Sequence, residues 1–207
     1  MPESSQAATI DWGGLVSLLL TAAIIMGSPG PATISLTAAG SAHGVRRSLG
    51  YLAGIIAGTA IVLLAVAGGI TAALLAVPVV RPLLIGVSVA YIAWLAYHVA
   101  TAPVLGSQAD SSPVPGAGGG LLLGAANPKA WVAIAAVFAS TRLARSPAVD
   151  AVSKVGVLLV MIVAINAVWL VVGASLAPLL RHPRRARVIN VVLAAALLGA
   201  AAAAAVR

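Results

Sequence analysis

The sequence predicts an all-α integral membrane protein of six transmembrane helices, arranged as two inverted three-helix halves with broken first and fourth spans. Three observations carry that prediction. The chain is 61% hydrophobic and only 8% charged, with a mean hydropathy of +1.11, whereas soluble domains average about half apolar and a quarter charged residues. A soluble fold would have far too little polar surface to cover so much apolar material. Six apolar runs reach the ~20 residues a helix needs to cross a bilayer. Proline-containing clusters interrupt the first and the fourth of these runs at matching depth.

The runs lie near 12–38, 49–75, 82–102, 117–140, 154–177 and 187–206. The first exceeds what a bilayer requires, as tilt or a break within the span would produce. It reads as a permanent span, because Glu3 and Asp11 precede it and no Lys or Arg supplies the basic start of a signal peptide. The stretch Ala102 to Gly120 is rich in Ser, Pro and Gly and has no Lys or Arg, the composition of a linker. The chain thus divides into a first half, 1–105, a linker, 106–116, and a second half, 117–207.

A net charge of +8 would suggest nucleic acid in a soluble protein, but the basic residues sit between apolar runs with no aromatic interleaving. They read as anchors in loops, the run "RHPRRAR" included, and no nucleic-acid partner is expected. Loops after the odd-numbered spans hold Arg46, Arg47, Arg181, Arg184, Arg185 and Arg187, and the opposite side holds Arg81, Arg142, Arg145, Lys154 and Arg207. With the totals almost level, the first span decides: Arg46-Arg47 follow it and no base precedes it, which puts both termini outside. The chain has no cysteine, and its three histidines and four acids are scattered. Disulfides, iron–sulfur ligation, thiol relays and metal clusters are therefore not expected, nor is any cofactor or enzymatic activity.

The first break is "GSPGPATISL", with Ser28, Pro29, Gly30 and Pro31; the second is "GAANPKAWVAIAA", with Asn127, Pro128 and Lys129. Proline has no N–H to give an interior helical position, and glycine is a poor helix former, so the backbone should open at both. Unpaired backbone groups cost several kcal/mol each in hydrocarbon, and irregular backbone survives only against protein or a wet cavity. Three spans per half force the halves to be inverted, and paired breaks in inverted halves point to a transporter's midplane site. The half-helices beginning after Pro31 and Pro128 are expected to aim N–H groups and a positive dipole end inward, which suits a carboxylate. The competing reading is that these prolines merely kink two helices.

Lys129 is the charged side chain placed nearest a bilayer midplane, where insertion costs roughly 2.5–3.5 kcal/mol. It would bind a substrate carboxylate, or hydrogen-bond the carbonyls freed by the Asn127-Pro128 break. Asn127, Asn166 and Asn190 put carboxamides in the last three spans; Asn127 sits in the break, and Asn166 joins it on the expected substrate pathway, although bonding between helices would also explain Asn166 and Asn190. Trp94, Trp131 and Trp169, with Tyr91 and Tyr97, could wall a path, but membrane aromatics more often sit at interfaces or fill space. Gly50, Gly54 and Gly58 form overlapping G-x-x-x-G steps suited to close helix contact, including contact with a second copy in a homo-oligomer.

The segments "SPGPATISLTAAGSAHGVRRSLGYLAGIIAG", "VSVAYIAWLAYH" and "LLLGAANPKAWVAIAAVFA" together resemble the LysE/RhtB family of amino-acid exporters in order and spacing. The tail "VINVVLAAALLGAA" is similar to the family's last span. The resemblance implies a six-span permease of the inner membrane that exports amino acids or related small metabolites, with coupling to the proton-motive force. One departure stands out: many members have an acid in the second span shortly after the glycines, where this chain has Thr59, so proton coupling lacks an evident carrier. The competing readings are an exporter of a divalent cation or other small solute, and a structural membrane subunit that transports nothing.

Overall fold

The computed structural model describes residues 10–69 and 115–180, with isolated residues at 93, 97, 184, 187, 188, 191, 192, 195 and 198. The first stretch opens with α1 (Trp12–Ile25), whose N-cap Asp11 accepts the Gly13 N–H at 3.0 Å. The chain is then non-helical to Gly30, and α2 (Pro31–Arg47) starts on a proline, which loses nothing there because the first helical N–H has no partner in any case. Gly44, at φ 76°, bends α2 near its end, and the Ser48 hydroxyl donates to the Gly44 and Ala39 carbonyls that this bend exposes. α3 (Leu49–Ala67) stops at Gly68-Gly69, where Gly69 has φ 80°. That left-handed turn favours glycine and ends the helix eight residues before the predicted limit of 75.

The second stretch repeats the order: α4 (Ala117–Ala126), a break at Asn127, α5 (Pro128–Ser140) and a long α6 (Pro147–Leu180). α4 and α5 meet at a bend of 56°. α6 begins before the predicted 154 because Asp150 and Lys154, four residues apart, pair at 2.8 Å and bring charge into its first turns without breaking it. α3 and α6 are each long and apolar enough to cross a membrane, and the bent pair α4–α5 is so when taken together. The third predicted span, 82–102, the linker up to residue 114 and the last span, 187–206, fall outside the described residues apart from the isolated positions.

Two apolar clusters hold these helices together. One joins Leu18 and Ala22 of α1, Val62 and Leu63 of α3, Ile134 and Val137 of α5, and Leu158 and Ile162 of α6. The other joins Leu36 and Ala39 of α2, Tyr51 and Ile55 of α3, and Leu170 of α6. Glycines allow backbones to touch around the second cluster. A Cβ on Gly54, Gly58 or Gly120 would overlap the Ala117, Leu121 or Tyr51 carbonyl, so α3 and α4 run parallel in direct contact. Gly40 and Gly173 do the same between α2 and α6. Gly54 and Gly58 therefore serve a contact within the chain, whereas Gly50 has nothing within 4 Å of its Cβ position.

Candidate functional site

Between the two apolar clusters lies a polar layer, and it contains a cavity of about 50 Å³. Gly30 and Thr33 from the first break, Asn127 and Lys129 from the second, Thr59 of α3 and Asn166 of α6 contribute to its lining. At roughly 10–15 Å³ per water, that space suits about three to five waters.

The backbone around the first break is satisfied group by group, as a low-dielectric setting demands. The Ser28 hydroxyl donates to the Ile25 carbonyl at 2.8 Å, and the Trp169 indole N–H, from α6, donates to Gly27 O at 3.1 Å. The Thr33 hydroxyl accepts the Gly30 N–H at 2.8 Å and donates to Gly30 O at 3.0 Å. The Ser28 and Pro29 carbonyls are taken by the Lys129 ammonium, which arrives from the other break. The second break is closed more locally. Asn127 Oδ1 accepts the Lys129 N–H at 3.1 Å, Asn127 O accepts Ala130 N–H, and the Trp131 indole donates to Ala125 O at 2.9 Å.

Lys129 reaches its acceptors only because Gly30 has no side chain. Its methylene chain runs so near Gly30 Cα that a Cβ there would overlap Lys129 Cδ. Gly30 has φ −164° and ψ −179°, extended backbone open to any residue, so the requirement is one of space. Asn166 is 6% exposed; its Nδ2 donates to Ile162 O at 2.8 Å, and its Oδ1 has no partner among the described residues. The cavity thus places a cation and an amide oxygen without a partner among the described residues around one small space, an arrangement able to receive both an anionic group and a hydrogen-bond donor.

All eight residues expected on the pathway lie in or against this layer. Gly30, Asn127, Lys129 and Asn166 line the cavity, Ser28 and Pro29 supply carbonyls, and Pro31 and Pro128 begin α2 and α5. Two details differ from the sequence expectation. Lys129 bonds the carbonyls of the opposite break and not those of its own. The first N–H groups of both breaks are capped, by Thr33 and Asn127, where open N–H groups were expected. The structure also brings in Thr33 and Trp169. A threonine three residues after the N-cap is a legible capping signal; nothing local to Trp169 points to Gly27.

A family model described as LysE type translocator matches residues 22–207, which takes in both breaks and every helix from α2 to α6. The chain belongs to the LysE type translocator family. The chain is 39% identical over 87 residues to the cysteine/O-acetylserine efflux proteins of Salmonella typhimurium and Salmonella choleraesuis, and 38% identical to that of Salmonella paratyphi A. The match covers 42% of this chain and 45% of each relative, so it spans less than half the length of the curated relatives. No solved structure matches it.

Proposed function

We propose that this translocator exports a small amino acid or a related small metabolite across the inner membrane, drawing on the proton-motive force, with the cavity between the breaks as its binding site. The observation that carries the reading is the Lys129 ammonium bridging from the second break to the Ser28 and Pro29 carbonyls of the first. A buried cation that ties two broken helices together is costly as mere bracing and useful as a ligand for a carboxylate. The relatives named for cysteine and O-acetylserine efflux suggest a zwitterion with a short polar side chain. The same ammonium repels a metal ion, which weighs against divalent-cation cargo.

The six-span inverted arrangement belongs to this proposal. The parallel contact of α3 and α4 supports it, since two helices that start at the same end need an odd number of crossings between them. The loop at Arg46-Arg47 is then cytoplasmic and both termini are outside. A homo-oligomer, if one forms, uses a face other than Gly54 and Gly58.

The test is metabolite profiling of cells that lack or overproduce the protein under amino-acid load, with Lys129→Met and Pro31→Leu compared at equal membrane abundance. The expected result is internal accumulation of one or a few amino acids on deletion, and impaired efflux in both variants. Unaltered efflux and selectivity in both would reduce the breaks to kinks, and unaltered efflux on deletion would favour a structural subunit.

A further inference from the structure

The candidate site already holds an amine, and it is the protein's own. The Lys129 ammonium has three N–H donors and places two of them on the Ser28 and Pro29 carbonyls, which the broken first span leaves open. Those carbonyls recognise charge and N–H donors, and any ammonium offers the same. A third acceptor stands in the same cavity, because the buried Asn166 Oδ1 lacks a donor among the described residues. Its orientation is determined: Nδ2 is committed to the Ile162 carbonyl, and a flipped amide would set oxygen against oxygen. Among the described residues, an acceptor without a donor and a cation without a counter-anion thus line the same cavity, whose lining includes no carboxylate.

On the reading of the chain as an amino-acid exporter, we infer that Lys129 is a displaceable stand-in for the substrate's ammonium. An arriving α-amino acid places its ammonium on the Ser28 and Pro29 carbonyls, with Asn166 Oδ1 as third acceptor, and the released Lys129 pairs with the substrate's carboxylate. The exchange needs both charges on one molecule. An amine without a carboxylate turns Lys129 out into apolar surroundings with no anion to meet it. An acid without an amine draws Lys129 away and leaves two carbonyls unpaired. A zwitterion incurs neither penalty. Lys129 lines the cavity, so moving its chain aside enlarges the space beside the carbonyls. Gly30 gives that chain its passage.

The experiment uses the full chain in proteoliposomes. Transport of each of the protein amino acids and of O-acetylserine is measured first, and the best of them is compared with its decarboxylated amine and its deaminated acid, in wild type and in Lys129→Met. Wild type should prefer the zwitterion at least tenfold over either fragment. Lys129→Met should lose zwitterion transport at least tenfold and carry the amine as fast as the zwitterion. Equal transport of amine and zwitterion by wild type, or an undiminished zwitterion preference in Lys129→Met, overturns the inference and leaves the exporter reading intact. Transport of no amino acid at all overturns both. If Lys129→Met fails to fold, Gly30→Ala decides with the lysine present: the added methyl pushes Lys129 off its carbonyls, so the half-saturating zwitterion concentration should fall several-fold. An unchanged or higher value would make Lys129 a fixed brace.

Discussion

The indole N–H of Trp169, in the middle of α6, donates to the carbonyl of Gly27, 142 residues earlier, at 3.1 Å. The long helix of the second half thereby closes one of the gaps that the first break opens. Trp169→Phe keeps most of the ring and removes only the donor. Leaving the Gly27 carbonyl unpaired should cost about 1–3 kcal/mol, read as a lower thermal midpoint in detergent together with slower transport. Trp12→Phe, at a ring that is 74% exposed, should change neither. An unchanged midpoint in Trp169→Phe would mean that water replaces the indole.

Asn166→Leu should separate stability from function. The substitution removes a buried oxygen that has no partner among the described residues and replaces it with an apolar group of similar shape, so stability should rise by about 1 kcal/mol. Transport should fall at the same time, because a polar group kept at a cost is one that a ligand uses. Thermal midpoint and efflux rate, measured on the same preparation, test the opposite signs; a drop in both would assign Asn166 to structure alone.

Gly58 and Gly50, two turns apart on α3, should respond in opposite ways. A side chain on Gly58 meets the backbone of α4 at Leu121, Gly124 and Ala125, and backbone cannot step aside. Gly58→Leu should cost about 3 kcal/mol or more, at the upper end for overpacking. Gly50→Ala points into open space and should be neutral or slightly stabilising, by up to ~0.5 kcal/mol. Thermal unfolding of the two variants makes the comparison, and equal midpoints would contradict the close contact of α3 and α4.

Asp150 and Lys154 should matter as a pair. Lys154 is 5% exposed, bonded to Asp150 at 2.8 Å, with its ammonium 5.2 Å from the Phe138 ring centre. Asp150 also accepts the Leu143 and Ala144 N–H groups, which holds the turn between α5 and α6. Asp150→Asn keeps those acceptors but leaves the lysine charge buried and uncompensated, at a cost of about 3–5 kcal/mol. Adding Lys154→Met should recover most of it. A double variant as unstable as the single one would show that the carboxylate acts on the turn and not on the lysine.

Much of this layer was legible in the sequence because its signals are local. Prolines at 29, 31 and 128 remove N–H donors wherever they fall, and glycines at 54 and 58 permit close contact whatever the partner. The capping of both breaks is equally readable, from Thr33 three residues after Gly30 and from Asn127 immediately before Pro128, although a helix dipole taken alone predicts open N–H groups. The sequence also left α6 too short at its start, because single charges at Asp150 and Lys154 look like a loop until they are seen to neutralise each other.

The sequence by itself determined that this chain is a membrane protein with proline-bearing breaks in two apolar runs, since length, hydropathy and missing backbone donors act residue by residue. Only the tertiary structure decided who completes the broken backbone: Lys129 reaches carbonyls 100 and 101 residues away, and Trp169 one 142 residues away. The physical reason is the solvent. In water each freed carbonyl would bond the nearest molecule, but in hydrocarbon it must wait for a donor that the fold brings within reach, and no local pattern names that donor.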